Sequence, residues 1–296
     1  MTFILDTVKG IFIGIANVIP GVSGGTMAVS LGIYDRLIAS ISGLLKDWKN
    51  SLKTLLPIIL GCGIGIIGFT YAIEYLLSAH TFATCMAFVG LILGGIPVLV
   101  KSLRKNLNQS GSAVGISGVI AFLVLFCVAV FLPMLNSDTE VLKTFRPTPI
   151  TMISLFLVGV IASATMVVPG VSGSLVMMIL GYYYGILEAI KSFLDALKAL
   201  DMNGILNGLM LLVPFGIGVL LGIFLIAKLI TFLFERYGVQ TYCAILGLIA
   251  ASPIAIFYNT GLIFHLSSLT VPSVLGGIAL AVAGAVITCF MGEKSK

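Results

Sequence analysis

Apolar segments long enough to cross a lipid bilayer follow one another along almost the whole chain. A membrane-spanning helix needs about 20 apolar residues. Segments of roughly that length lie at 3–19, 24–44, 56–78, 82–100, 113–133, 150–168, 173–194, 205–233, 240–257 and 271–291. Transmembrane strands would instead show segments of about 10 residues with alternating polarity. The sequence therefore predicts an all-α, polytopic integral membrane protein.

Polar sequence is too scarce for a soluble domain. Only 9% of the 296 residues are charged, against roughly 25% in soluble domains, and the longest polar gap covers residues 136–149. The formal charge of +5 is dispersed beside apolar segments, so nucleic acid is not a predicted partner. The five cysteines fall within apolar segments and read as buried small side chains. We predict neither a metal site nor a cofactor.

The second half of the chain repeats the first. A shift of 149 residues aligns the PGVSG sequence that begins at Pro20 with the one that begins at Pro169. Further along, a shift of 157 residues aligns the segments that begin at Pro57 and Pro214. Self-similarity of this kind indicates two copies of one architecture. We place the copies at residues 1–148 and 149–296 of a single membrane domain, with a helical hairpin and three transmembrane helices in each.

The two copies are predicted to have inverted topology. The first two segments of each copy are joined by the PGVSG loop, and they either both cross the bilayer or form a re-entrant hairpin. Each copy then crosses five or three times, and because either number is odd the second copy begins on the opposite side. Many secondary transporters follow this plan, with the site at the midplane between the repeats.

Basic residues indicate the orientation. With the N-terminus in the cytoplasm, twelve of the 16 lysines and arginines fall on or nearest the cytoplasmic side, and four fall outside. Cytoplasmic loops carry an excess of Lys and Arg. Both termini are therefore predicted to be cytoplasmic.

The two PGVSG loops are candidates for an anion site. Proline and glycine end the helices there and free backbone groups that lipid cannot satisfy. Ser23 is predicted to cap the next helix, so that Gly24, Gly25 and Thr26 present unpaired N–H groups to a phosphate. The predicted phosphate-binding residues are Asn17, Gly21, Ser23, Gly24, Gly25, Thr26, Gly170, Ser172, Gly173 and Ser174. The alternative is that the glycines only allow close helix packing; repetition within an inverted repeat favours the anion site.

The segments NVIPGVSGGTMAVSLGIYDRLI, from Asn17 to Ile38, and VVPGVSGSLVMMILGYYYGIL, from Val167 to Leu187, resemble the bacterial polyprenyl-phosphate transporter family. The resemblance covers essentially the whole chain. It implies that the protein returns the lipid carrier undecaprenyl phosphate from the outer to the inner leaflet of the cytoplasmic membrane for cell-envelope synthesis. The second copy departs from the first, because Ser174 and Leu175 stand where the first has Gly25 and Thr26. Assembly as a homo-oligomer stays open.

Three further polar residues have two interpretations each. Arg36 either snorkels to the interface with Asp35 as its partner, or captures the head group at the cytoplasmic mouth. Glu74 lies within an apolar segment and is a candidate proton carrier, although it is near the outer end and could reach the surface. Asn17 either donates to phosphate or caps freed carbonyl groups.

Two other functions compete with lipid transport. A channel or exchanger for small anions would suit inverted helix starts equally well. A lipid phosphatase needs a nucleophile with a base, or a metal cluster. His80, His265 and one buried acid supply neither, so an enzyme is not predicted.

Overall fold

The structure, a computed structural model, describes residues 2–19, 22–110, 113–135, 145–264 and 270–293. Every regular element within these ranges is helical, which confirms the predicted all-α class. The α-helices are α1 (Thr2–Val18), α2 (Gly24–Ser30), α3 (Tyr34–Ser42), α4 (Trp48–Ala79), α5 (Thr81–Leu93), α6 (Ile96–Ser110), α7 (Ile116–Phe131), α8 (Pro149–Val167), α9 (Gly173–Ile179), α10 (Tyr183–Ala199), α11 (Met202–Asn259) and α12 (Val271–Glu293). Single 3-10 turns follow α7 (Leu132–Leu135) and α11 (Leu262–Phe264).

Six of the described helices are long and apolar enough to cross a membrane, or seven if one bent pair counts as a span. The 58-residue helix α11 is interrupted at Tyr237, where the backbone leaves the helical region (φ −131°, ψ 43°). The interruption divides α11 into residues 202–236 and 238–259, which agrees with the two segments predicted at 205–233 and 240–257.

The second arm of each hairpin is broken, whereas the sequence predicted one continuous segment at 24–44 and another at 173–194. The cause is a glycine with positive φ, Gly32 (69°) in the first hairpin and Gly181 (73°) in the second. The next residue donates to a carbonyl five positions back, from Ile33 to Ala28 and from Tyr182 to Met177. This is the Schellman arrangement that ends a helix. As a result α2 and α9 have seven residues each, and α9 and α10 meet at 107°.

The helices pack into two compact units. The first comprises Met1–Pro133, Val168–Val171 and Ala227–Lys296, and the second comprises Met134–Val167 and Ser172–Ile226. The two units are defined by contacts between residues and not by sequence similarity. The boundary between the sequence repeats, at residues 148 and 149, stays a prediction.

Glycines hold the first arm of each hairpin against the long helix that follows it. In the first unit a Cβ atom on Gly61 of α4 would lie 2.0 Å from the Thr7 carbonyl oxygen of α1. In the second unit a Cβ on Gly218 of α11 would lie 2.1 Å from the Phe156 oxygen of α8. Gly65 and Gly222 repeat this approach one turn further on. Small residues let membrane helices come this close, and glycines that the 157-residue shift aligns make equivalent contacts in the two units.

Within the first unit, the last helix of each repeat packs against a helix of the other repeat. Gly90 of α5 abuts Ala281 of α12, with 2.0 Å from a built Cβ to the carbonyl oxygen. Gly247, the repeat equivalent of Gly90, abuts Phe122 of α7 at 2.3 Å in the same way. Each of these two contacts joins helices from the two predicted repeats.

Candidate functional site

The first PGVSG loop ends at a capped helix. Ser23 has an extended backbone and its Oγ accepts a hydrogen bond from the Thr26 N–H at 3.1 Å, which confirms the predicted cap. The Ser23 and Thr26 hydroxyl oxygens lie 2.9 Å apart, and both side chains are buried. Gly21 lies outside the residues that the structure describes.

Asn17 supports the loop from α1. Its Nδ2 donates to the Ile13 carbonyl at 3.0 Å, and its Oδ1 accepts from the Gly24 N–H at 3.2 Å. A Cβ on Gly24 would lie 2.6 Å from that Nδ2 atom, so glycine makes the contact possible. Donation to a carbonyl agrees with one of the two interpretations of Asn17, and the bond from Gly24 is additional to both.

The predicted free amides are therefore partly wrong. Gly24 and Thr26 donate to Asn17 and Ser23, because the loop folds onto its own side chains. Within the described part of the chain, the Gly25 N–H has no hydrogen-bond acceptor, as predicted.

The start of the second loop lies against the first. Val168–Val171 belongs to the first unit, and the Gly170 N–H donates to Thr26 Oγ1 at 2.6 Å and to Ser23 Oγ at 3.2 Å. Gly170 has φ 78° and its built Cβ would meet the Leu248 backbone at 3.0 Å, so this position requires glycine. Each hydroxyl has a single proton to donate. One is shared between Ser23 and Thr26, which leaves one hydroxyl proton for an anion.

The rest of the second loop lies in the second unit. Ser172 precedes α9, but its side chain makes no capping bond and its hydroxyl instead lies 2.8 Å from that of Ser174. A Cβ on Gly173 would lie 2.6 Å from the Ala162 carbonyl oxygen of α8. Within the described chain, the N–H groups of Gly173 and Ser174 have no hydrogen-bond acceptor. The second helix start is thus the less occupied of the two.

Arg36 does not pair with Asp35. Its guanidinium binds the Asp6 carboxylate on α1, and the side chain of Asp6 is only 8% exposed. Asp35 accepts a hydrogen bond from the Tyr242 hydroxyl at 2.8 Å instead. The break at Gly32 reorients α3, and this could not be read from a continuous helix. Position 74 lies in α4, but the side chain of Glu74 is outside the described part.

A polar cavity of about 310 Å³ lies beside Asp35 within the first unit. Its polar lining comprises Asp35, Tyr242, and Ser102, Lys105 and Asn106 of α6. The cavity lies between the second arm of the first hairpin and α6.

The sequence interpretation missed Lys9. Its side chain is completely buried, and Nζ donates to the Leu31 carbonyl at 3.0 Å. Asp6 and Lys9, three residues apart in an apolar helix, were the available signal, because that spacing places both on one face.

Comparison of the sequence with known proteins identifies a family. Residues 13–264 match a family model described as VCA0040-like, undecaprenyl phosphate translocase-like. The chain belongs to this family. A polyprenyl-phosphate transporter of Staphylococcus aureus (strain NCTC 8325 / PS 47) is 32% identical over 254 residues, which is 86% of each chain. A polyprenyl-phosphate transporter of Vibrio cholerae serotype O1 (strain ATCC 39315 / El Tor Inaba N16961) is 32% identical over 225 residues, 71% of this chain and 68% of its own. No solved structure matches.

Membership of the undecaprenyl phosphate translocase-like family agrees with the resemblance drawn from the PGVSG segments. The matched range contains both loops and eleven of the helices in whole or in part. The described residues contain no group of three His, Cys, Asp or Glu side chains that could hold a metal ion.

Proposed function

We propose that this protein is a polyprenyl-phosphate translocase that returns undecaprenyl phosphate from the outer to the inner leaflet of the bacterial cytoplasmic membrane. The observation that carries the proposal is the bond from Gly170 to Ser23 and Thr26, which builds one buried polar turn from both PGVSG copies. The family and its named relatives supply the substrate class. The protein moves the lipid without chemical change and is not an enzyme.

The turn suits a phosphate because its donors are hydroxyls and amides. An unpaired charge is costly in a low-dielectric layer, and hydrogen-bond donors lower that cost without holding the anion as a fixed counter-ion would. In the first unit the head group takes the remaining hydroxyl proton of Ser23 or Thr26 and the Gly25 N–H. Asn17, Gly24 and Gly170 shape the turn around these donors, and Gly21 stays a predicted phosphate-binding residue.

Ser172, Gly173 and Ser174 provide a second helix start of the same kind. Its amides lack acceptors within the described chain, and Gly173 keeps the backbone accessible. Because α2 and α9 have only seven residues each, their macrodipoles are small, and individual donors carry the interaction.

The path to the cytoplasm ends at Arg36. Its side chain is 41% exposed and is held by Asp6, from which a head group displaces it. Inverted repeats with both termini in the cytoplasm give the two faces of the membrane equivalent access, while the isoprenoid tail stays in lipid. Glu74 remains a candidate proton carrier.

Reconstituted vesicles with labelled polyprenyl phosphate on one leaflet test this function. We expect the purified protein to move the label, and Thr26→Val to reduce the rate strongly while the exposed hydroxyl control Thr54→Val does not. Flux of chloride or inorganic phosphate without lipid movement would establish an anion channel instead. Release of inorganic phosphate from the lipid would establish a phosphatase.

A further inference from the structure

Lys9 places a positive charge inside the first hairpin. Its Nζ donates to the carbonyl of Leu31, the residue that caps the C-terminus of α2. Carbonyl groups at a helix C-terminus carry a partial negative charge, and broken helices in transporters use such ends to bind coupling ions. The Lys9 ammonium occupies the position that a free cation would take.

The surroundings of Lys9 supply little compensation for this charge. Asp6, the carboxylate that favours the ammonium, is bound to Arg36, a second cation that opposes it. The residues of α4 that pack against this part of α1 are Ile58 and Gly61, neither of which is charged. Lys49 and Lys53 are exposed near the start of α4. The sequence of α2 contains no ionisable side chain. Asp35 is turned to Tyr242, and the side chain of Glu293 on α12 lies outside the described part.

The fold of a hairpin does not require this lysine. In the second hairpin the equivalent residue is Val158, buried with Leu155 and Ile186, and the short helix and its Schellman end form there as well. A buried charge that the backbone can do without indicates a role in the transport cycle.

We propose that Lys9 carries a proton that moves together with the phosphate head group. The proposal rests on the proposed function and concerns its energy coupling. The Lys9 amine takes one proton from water on the side where the head group enters, and the ammonium releases that proton to water on the side where the head group leaves. The neutral amine still has an N–H for Leu31. One proton thus accompanies each anion and reduces the net charge moved.

The distance between the two charges is short enough for coupling. Lys9 Nζ and the Ser23 turn lie at opposite ends of α2, about 11 Å apart for seven residues. At an effective dielectric constant near 20, unit charges at that distance change each other's binding roughly tenfold. By linkage, a bound phosphate strengthens protonation of Lys9 by the same factor as the proton strengthens phosphate binding.

Vesicles with labelled polyprenyl phosphate and an imposed pH gradient test this coupling. The measured quantity is the ratio of the transport rate with the gradient to the rate without it, for each variant separately. We expect a ratio well above one for the unchanged protein and for the exposed control Lys53→Met. Lys9→Met, which is neutral, and Lys9→Arg, which stays charged, should both give a ratio of one.

The two substitutions separate a proton carrier from a fixed charge. A response retained by Lys9→Arg or Lys9→Met, or a ratio of one for the unchanged protein, overturns the proposal. Thermal unfolding verifies that the variants fold, and Lys9→Val is the alternative if Lys9→Met does not, because the second hairpin accepts valine. Absence of lipid movement by the unchanged protein in every condition would overturn the proposed function instead.

Discussion

The two hairpins share a backbone design but differ in what they bury. Each has a first arm packed through glycines, a seven-residue helix, and a Schellman end at a glycine with positive φ. The first hairpin buries Asp6 and Lys9 between its arms. The second has Leu155 and Val158 at the equivalent positions, within an apolar cluster. The same geometry therefore forms around ionic groups and around aliphatic groups.

This difference separates structure from function. Breaking or isolating a buried ion pair costs several kcal/mol, whereas well-packed apolar side chains of similar volume are often as stable. The second hairpin shows the arrangement that stability alone favours. The hairpin backbone therefore does not require the charges of the first hairpin, which agrees with the role in transport proposed for Lys9.

The largest effect is expected from moving the charge to the other hairpin. Val158→Lys places an ammonium among Leu155, Ile186 and Leu211 without a partner like Asp6. We expect a loss of about 3–5 kcal/mol, because the charge is buried and uncompensated. Thermal unfolding in detergent measures it, with Val158→Met as the apolar control, which should cost only about 1–3 kcal/mol because it adds volume without a charge. Equal unfolding temperatures for Val158→Lys and Val158→Met would mean that both hairpins tolerate a buried charge. The contrast between the hairpins would then be lost.

The shared glycine packing should respond equally in both units. Gly61→Ala and Gly218→Ala each place a methyl group about 2 Å from a carbonyl oxygen of the facing helix, and we expect losses of about 1–3 kcal/mol or more from overpacking. Gly63→Ala and Gly216→Ala are the controls, because a Cβ there meets no atom within 4 Å. They should be neutral or stabilising by up to about 1 kcal/mol. A large loss at one glycine and none at its equivalent would contradict the common packing.

The positions of the helical segments were predictable, because a membrane-spanning helix requires an apolar run of about 20 residues. The sequence also predicted the Ser23 cap, since serine before a small-residue helix start has one dominant use. The breaks at Gly32 and Gly181 were not predicted, although both glycines align in the repeat. An apolar window does not register a helix end when the residues on both sides are equally apolar.

Side-chain partners were harder to predict than segments. One of the two interpretations of Arg36 paired it with its neighbour Asp35, but the broken arm brings it to Asp6, thirty residues earlier in the chain. The N–H groups of Gly24 and Thr26 were expected to be free, but Asn17 and Ser23 accept from them. Both errors concern contacts made by the bend of the chain, which local sequence does not determine.

A double-mutant cycle on Asp6 and Arg36 measures how far the first hairpin depends on its ion pair. Arg36→Gln leaves the buried Asp6 carboxylate without its partner, and we expect a loss of about 1–3 kcal/mol, reduced from the fully buried case because Arg36 is 41% exposed. Adding Asp6→Asn should restore part of it, with a coupling energy of about 1–2 kcal/mol. The exposed pair of Asp195 and Lys198 in the second unit is the control, with coupling below about 0.5 kcal/mol. Equal coupling in the two pairs would mean that burial adds nothing to the first.

The smallest effects compare the two loop serines. Ser23 Oγ accepts from the N–H groups of Thr26 and Gly170, so Ser23→Ala leaves two buried donors with fewer acceptors, and we expect a loss of about 1–2 kcal/mol. Within the described chain the Ser172 hydroxyl bonds only to the Ser174 hydroxyl, so Ser172→Ala should cost less than about 0.5 kcal/mol. Vesicle transport should follow the same order, with a loss of about tenfold for Ser23→Ala, which corresponds to about 1.4 kcal/mol. If Ser172→Ala reduces transport as much as Ser23→Ala while stability is retained, the second helix start binds the head group as strongly as the first, and the functional contrast between the hairpins is confined to Lys9 and its ionic neighbours.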